Sequence, residues 1–224
     1  MRVFGQADEI VKNRREPFRG RGGPIVMITE GDGVETGSGE AEFQEAEALR
    51  EQGRAQEAER WYRKAAEAGE VDARRNLGLL LIRRRDVQGA AEQFRIAAEA
   101  GQTDSITNLG LALGEMGRAE ESEEWLRRAA EKGDGRALSA LANHLWSQGR
   151  REEADEWWEK GAAAGDPDSL FNLGVRREHK DDMAGAEEYF RRAGQAGHPR
   201  GAARAAAVAR GVRVNGAPYM PGLF

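Results

Sequence analysis

The stretch WYRKAAEAG, residues 61–69, returns in altered form at four later places in the chain. QFRIAAEAG occupies 93–101, WLRRAAEKG 125–133, WWEKGAAAG 157–165 and YFRRAGQAG 189–197. The interval is 32 residues each time, without any insertion. A strict period of this length is typical of repeat architectures, in which every repeat is one small structural unit stacked on its neighbours.

Each 32-residue block contains two helical patterns. The blocks start at Gly39, Val71, Thr103, Gly135 and Pro167. The first pattern places small and apolar residues at helical spacing, as in Leu77, Gly78 and Leu81. The second reads A-x-x-x-aromatic in most blocks, as in Ala90 and Phe94. Apolar residues spaced this way form one buried helical face, so we expect five helix pairs and then an alanine-rich helix over 199–211.

Recurring glycines mark the ends and the contacts of these helices. The second pattern of every block ends at Gly69, Gly101, Gly133, Gly165 or Gly197. This position predicts a left-handed residue after the helix, which glycine adopts without steric cost. A glycine inside a helix costs about 1 kcal/mol relative to alanine. The recurrence of Gly78 as Gly110 and Gly174 therefore predicts a close approach of the paired helices.

This pattern resembles the tetratricopeptide repeat family and the closely related Sel1-like repeats. The tetratricopeptide core L-G-x-x-L and A-x-x-x-F is present as Leu77-Gly78, Leu81, Ala90 and Phe94. The run KAAEAGEVDARRNLGLLL, residues 64–81, is similar to the Sel1-like boundary between repeats. The resemblance covers 39–211 and implies an all-α fold. That fold is a right-handed α-solenoid of five 32-residue helix–turn–helix repeats with a C-terminal capping helix.

The segments outside the repeats differ from them in composition. We expect residues 1–38 to be a flexible N-terminal arm, because residues 24–40 are rich in Gly, Ser and Thr. The glycines at 31–39 follow an apolar run, as in some phosphate-binding loops, but a P-loop lysine and GxGxxG spacing are missing. Residues 212–224 form an apolar tail with two prolines. It either caps the last helix or fits another molecule.

The distribution of charge along the chain indicates which kinds of partner it can bind. The chain of 224 residues has a net charge of −5. Its first 38 residues are balanced, and residues 199–224 carry four arginines and no acid, which leaves −9 for 39–198. Phosphate backbones need clustered Lys and Arg, so this acidic middle argues against nucleic acid as the main partner.

Other classes of function are disfavoured by what the sequence lacks. There are no cysteines, hence neither disulfides nor thiolate metal sites. No run approaches the ~18 apolar residues of a membrane span. The start of the chain has charges inside its apolar stretch, unlike a secretory signal. We therefore expect a cytoplasmic protein without a membrane partner.

Catalytic residues are not evident. The three histidines, His144, His179 and His198, are not spaced as metal ligands. The carboxylates fall largely on charged helix faces, where pairs with Arg or Lys four residues away are routine. We therefore expect no enzyme activity, no metal and no cofactor.

A groove is the better candidate for a site. In tetratricopeptide proteins the first helices line a concave face along which ligands lie. By position, this resemblance implies a lining of Phe43, Arg75, Asn76, Leu79, Thr107, Asn108, Leu111, Ser139, Asn143, Phe171, Asn172 and Val175. An Asn amide can bond an extended peptide or a partner inside the scaffold, and the sequence leaves both open. Trp146 and Phe171 predict either an apolar pocket or core filling.

The sequence thus predicts a non-catalytic adaptor that binds a peptide or protein segment along this groove. One alternative is a structural subunit that self-assembles, so that an oligomer forms through residues 212–224. Another is an enzyme that uses the Gly-rich arm at 31–39. An arm packed tightly on the repeats favours the enzyme.

Overall fold

The repeats form a continuous run of paired helices. The computed structural model of the protein describes residues 39–212, and no strand occurs in that range. The helices are α1 (Glu40–Glu51), α2 (Ala55–Glu67), α3 (Val71–Arg83), α4 (Val87–Glu99), α5 (Thr103–Glu115), α6 (Ala119–Glu131), α7 (Gly135–Ser147), α8 (Arg151–Ala163), α9 (Pro167–His179), α10 (Met183–Gln195) and α11 (Gly201–Ala209). Each 32-residue block contributes one pair, as predicted. The expectations for residues 1–38 and 213–224 concern parts of the chain outside the described residues.

The helix ends follow the sequence signals. Gly69 and Gly133, which end second helices, have φ values of 99° and 84°, in the left-handed region. Arg85 and Asp181 stand where three other repeats have glycine after the first helix, and they adopt the same conformation with φ of 66° and 65°. At the start of α9, the Asp166 side chain accepts a hydrogen bond from a backbone N–H and a proline fills the first turn.

The core lies between the two helices of each repeat and between successive repeats. A Cβ added at Gly78 would lie 2.5 Å from a ring carbon of Phe94, and one at Gly174 would lie 2.7 Å from Phe190. The close approach predicted for these glycines is confirmed. The aromatic residues that face them from the second helices are fully buried, as are Tyr62 and Trp158 at equivalent positions. These rings are core residues, as their recurrence with the fold predicts.

The last helix closes the run of repeats. It begins at Gly201 and ends at Ala209, so it is shorter than the predicted 199–211. It packs on α10. Arg204 forms an ion pair with the buried carboxylate of Glu178 on α9, and Val208 is buried. One of the four basic residues near the C-terminus therefore anchors α11 to the solenoid.

Candidate peptide-binding groove

The predicted groove residues lie on the first helices, and they differ in exposure. The buried members are Thr107, Asn108, Ser139, Asn143, Phe171, Asn172 and Val175. The half-buried or exposed members are Phe43, Arg75, Asn76, Leu79, Leu111 and Trp146. Side chains that a ligand can reach therefore belong mainly to the first three repeats, with Trp146 added from the fourth.

A buried hydrogen-bond network joins the fourth and fifth repeats. The amide of Asn172 donates to Asn143 Oδ1 at 2.9 Å, and the indole N–H of Trp158 donates to the same oxygen at 3.0 Å. Asn172 and Trp158 are fully buried. Asn172 thus links α9 to α7 and α8, so its amide has the scaffold role that the sequence left open.

The first and second repeats are joined in the same way. The amide of Asn76 donates to Glu47 Oε1 at 2.8 Å, and the Tyr62 hydroxyl donates to that carboxylate too. Burial acts against ionisation of Glu47, but hydrogen bonds from Arg50, Tyr62 and Asn76 hold its pKa below the ordinary value. Burial and the Glu47 charge raise the pKa of Tyr62 to about 12. The Asn76 network therefore contains a stable carboxylate where the Asn172 network has an amide.

Asn108 has a different environment. Its counterparts of Glu47 and Tyr62 are Leu79 and Phe94, which offer no hydrogen-bonding group. Asn108 Oδ1 instead accepts a hydrogen bond from Arg136 at 3.3 Å. The three Asn residues that recur in the sequence are therefore not equivalent in the structure.

The accessible apolar side chains of the first helices include two leucines one repeat apart. Leu79 on α3 is 36 % exposed and Leu111 on α5 is half-buried. Beside Leu79, the Nε of Arg75 lies 3.5 Å from a carboxylate oxygen of Asp104. These leucines occupy the position that carries Glu47 and Asn143 in the two hydrogen-bonded boundaries. Where the boundary has no such network, this position presents apolar surface to solvent.

The other end of the predicted row is filled by the protein itself. Phe171 stacks on the imidazole of His198 with ring centroids 4.0 Å apart and packs 5.1 Å from Phe190. Phe171 is therefore a core residue. Trp146 lies 5.5 Å from Trp158, and the guanidinium of Arg176 lies 4.6 Å from its ring. The part of Trp146 that stays accessible lies beside this guanidinium group.

Two titratable groups meet near this stack. The imidazole Nε2 of His198 lies 3.6 Å from a carboxylate oxygen of Asp168. Burial and the Arg200 charge lower the pKa of His198 to about 4. Burial and the Asp166 charge raise the pKa of Asp168 to about 6, against the opposing effect of Arg136. Near pH 5 both side chains are therefore neutral, and the contact is not an ion pair.

The described residues contain neither a metal site nor a membrane-spanning helix. Between residues 39 and 212, no group of three or more His, Asp or Glu side chains is arranged to hold a metal ion. Within that same range, no helix has both the length and the apolar character needed to cross a bilayer.

Comparison with known proteins agrees with the repeat architecture. The model of the tetratricopeptide repeat family matches residues 103–132. A protective antigen present in uropathogenic Escherichia coli strains, displaying an SLR fold, is 26 % identical with a TM-score of 0.65. The Sel1 repeat protein from Oxalobacter formigenes is 25 % identical with a TM-score of 0.63. YrrB, a TPR protein with an unusual peptide-binding site, is 21 % identical with a TM-score of 0.53.

These matches differ in how much of each protein they cover. The antigen match covers 80 % of this chain and 43 % of the antigen, so the chain spans less than half of that protein. The Oxalobacter match covers 76 % of both chains, and the YrrB match covers 75 % of this chain and 90 % of YrrB. The curated proteins gave no significant match.

The fold and these similarities define a helical repeat scaffold. One repeat of the chain matches the tetratricopeptide repeat family model, and its fold is similar to those of SLR-fold and Sel1 repeat proteins. This fold generally mediates protein–protein interaction and is typically a non-catalytic scaffold.

Proposed function

We propose that the protein is a non-catalytic adaptor that binds a peptide or protein segment along its first helices. The observation that supports this most directly is the pair of accessible leucines, Leu79 and Leu111, at one position of successive repeats. A row of apolar side chains spaced by the repeat suits an extended segment, because such a segment presents alternate side chains to one surface. The fold similarity to YrrB, which has a peptide-binding site, also favours a peptide ligand.

The chemistry of the row indicates the kind of segment. Apolar side chains of the ligand would cover Leu79 and Leu111, with a gain of about 25 cal/mol for each Å² of apolar surface buried. Arg75 lies beside them with a side chain that is one-third exposed, and it can donate to a carbonyl or carboxylate of the ligand. We therefore expect a segment with apolar residues and an acceptor group between or beside them.

The test uses peptides selected from a random library on the full-length protein. Affinities are then measured by calorimetry for wild type and for Leu79→Glu/Leu111→Glu. If apolar contact with each leucine contributes about 1 kcal/mol to binding, the double variant should lose tenfold or more in affinity. Leu79 is exposed and Leu111 is half-buried, so far-UV circular dichroism is recorded for the double variant to establish that its helices are retained.

Ile96→Glu is the matched control. Ile96 is 42 % exposed, on the second helix α4. The same charge replaces a side chain of the same size there, away from the first helices. Peptides that bind the double variant as tightly as wild type, or that lose equal affinity in Ile96→Glu, would contradict the proposed groove.

A further inference from the structure

A cavity of about 520 Å³ lies between the N-terminal half of α2 and the C-terminal half of α3. Its charged lining residues are Glu59, Arg60, Arg63, Arg83 and Arg84, which together carry +3. The solenoid around it, residues 39–198, carries −9. The lining of this cavity is therefore positive, although the surrounding solenoid is acidic.

Part of the cluster belongs to the scaffold. The carboxylate of Glu59 is buried, at 7 % exposure, and its Oε1 accepts from Arg63 at 2.9 Å and from Arg84 at 2.7 Å. Burial acts against the charge of Glu59, but these bonds from Arg84 and Arg63 hold its pKa below the ordinary value. A similar arrangement recurs two repeats later, where Glu123 accepts from Arg127 at 2.8 Å. The Glu59 group therefore fixes two guanidiniums at the wall of the cavity.

The other two arginines have no such partner. Neither Arg60 nor Arg83 forms an ion pair within 4.0 Å among residues 39–212, and both are exposed. Glu57, the acid one turn from Arg60, pairs with Arg54 at 2.6 Å instead. Two guanidiniums thus face the cavity with their donors available.

The other repeats show that the fold does not need arginine at these two positions. The residues equivalent to Arg60 are all acidic: Glu92, Glu124, Glu156 and Glu188. The residues equivalent to Arg83 are Glu51, Glu115, Ser147 and His179. The same helices form with Glu at the first position and with Glu, Ser or His at the second, so the positive charge of Arg60 and Arg83 is a property of this cavity and not of the repeat.

We infer that this cavity binds an oxyanion of the phosphate class, with Arg60 and Arg83 as its direct contacts. Guanidinium groups bind phosphate oxygens through paired, charge-assisted hydrogen bonds. Arg63 and Arg84, held by Glu59, add positive potential from the wall. Leu80 also lines the cavity and gives apolar surface for the carbon atoms of a phosphate ester. The ester could be a phosphorylated side chain of another protein or a small organic phosphate, since both present the same group.

The test is calorimetric titration of the full-length protein with sodium phosphate and with a phosphoserine peptide, at constant ionic strength set with sodium chloride. The variant is Arg60→Glu/Arg83→Glu, which introduces the residues that other repeats already carry. Losing two charge-assisted contacts should weaken binding of either probe by about tenfold or more. Arg60→Gln provides a milder version with the same expected direction, should the double variant fail to fold.

Arg128→Glu is the matched control, because it reverses one exposed arginine on α6, outside this cavity. Its affinity for both probes should equal that of wild type. Tighter binding of the peptide than of inorganic phosphate would indicate a phosphorylated side chain, and equal binding would indicate a small phosphate. The inference is overturned if wild type binds neither probe, or if Arg128→Glu loses as much affinity as the cavity variants. Equal binding of a glutamate peptide would also overturn it, by showing general charge attraction.

Discussion

Asn143→Leu tests the buried network between the fourth and fifth repeats. Asn143 Oδ1 accepts from the Trp158 indole at 3.0 Å and from the Asn172 amide at 2.9 Å. Both donors are fully buried, so water does not replace the lost acceptor. Leucine has the same number and branching of side-chain heavy atoms as asparagine, and it is the natural residue at this position in the second and third repeats, Leu79 and Leu111. The substitution therefore changes hydrogen bonding more than it changes shape or helix propensity.

The magnitude follows from the number of donors left without a partner. Each buried unsatisfied donor costs about 1–3 kcal/mol, so two of them predict a loss of about 2–6 kcal/mol in the free energy of unfolding. The triple variant Asn143→Leu/Trp158→Phe/Asn172→Ala removes the donors together with the acceptor. Because apolar replacement of all partners can be nearly neutral, the triple variant should cost less than the sum of the three single changes.

Urea unfolding followed by circular dichroism provides the measurement, with the slope of the transition compared as well as its midpoint. Asn108→Leu is the control, because the donor to Asn108 among residues 39–212 is Arg136, a residue that stays in contact with water. It should cost about 1 kcal/mol or less. An unfolding free energy for Asn143→Leu within about 0.5 kcal/mol of wild type would refute the assigned network.

Three further predictions concern the scaffold and its pH dependence. Trp158→Ala should cost about 3–5 kcal/mol by opening a cavity in the core, and a melting curve that overlays wild type would contradict the repeat register. Gly133→Val should lower the melting temperature, because a β-branched residue is strained at φ of 84°; Gly135→Val, at a position without positive φ, is its control. The pKa of His198 is lowered to about 4 in the folded protein, so the free energy of unfolding falls as pH drops from about 6.5, the ordinary pKa of histidine, to about 4. The pKa of Asp168 is raised to about 6, so this group makes the free energy of unfolding rise as pH drops below about 6. Asp168→Asn should therefore lose stability between pH 6.5 and pH 4 more steeply than wild type, and equal slopes in urea titrations would show that the two effects do not oppose each other.

The helix pairs and their contacts could be predicted because the same pattern of small and apolar residues occurs in five successive blocks of the sequence. Gly78, for example, recurs as Gly110 and Gly174, and Ala takes its place in the other two blocks; Phe94 recurs as Phe190 at the same position of the block. The left-handed residues at Arg85 and Asp181 were also within reach, since three other repeats have glycine there. Because each block can be compared with the other four, a helix boundary assigned wrongly in one block would disagree with its equivalents.

The roles of the Asn residues could not be predicted, because each role depends on a partner in the preceding repeat. Asn172 bonds to a residue 29 positions earlier, across the boundary between two repeats. Glu47 and Asn143 are polar where Leu79 and Leu111 are apolar, and this difference decides which Asn amide finds a hydrogen-bond acceptor in the preceding repeat. The sequence indicates such a network only when two positions are read together: the one held by Glu47 or Asn143, and the Asn that follows it in the next repeat. Neither position is informative alone.

The basic cavity was missed for a related reason. The charge reversal at Arg60 is visible when the five blocks are aligned, since the other four have glutamate. The sequence alone does not show that α2 and α3 leave a space of about 520 Å³ there, because that space depends on how two helices from different repeats diverge. Charge in the sequence becomes a site only when packing gives it a concave surface.

The accessible leucines and the basic cavity adjoin on one helix. Leu79 and Arg83 are four residues apart on α3, so their side chains are neighbours along the same face. A ligand that covers Leu79 can therefore also meet Arg83, and a loss of binding in Arg83→Glu would not by itself separate the two surfaces. Arg60 lies on α2, away from the leucine row, which makes Arg60→Glu the variant that discriminates. Phosphate binding lost in Arg60→Glu, with apolar peptide binding retained, assigns the two ligands to separate surfaces.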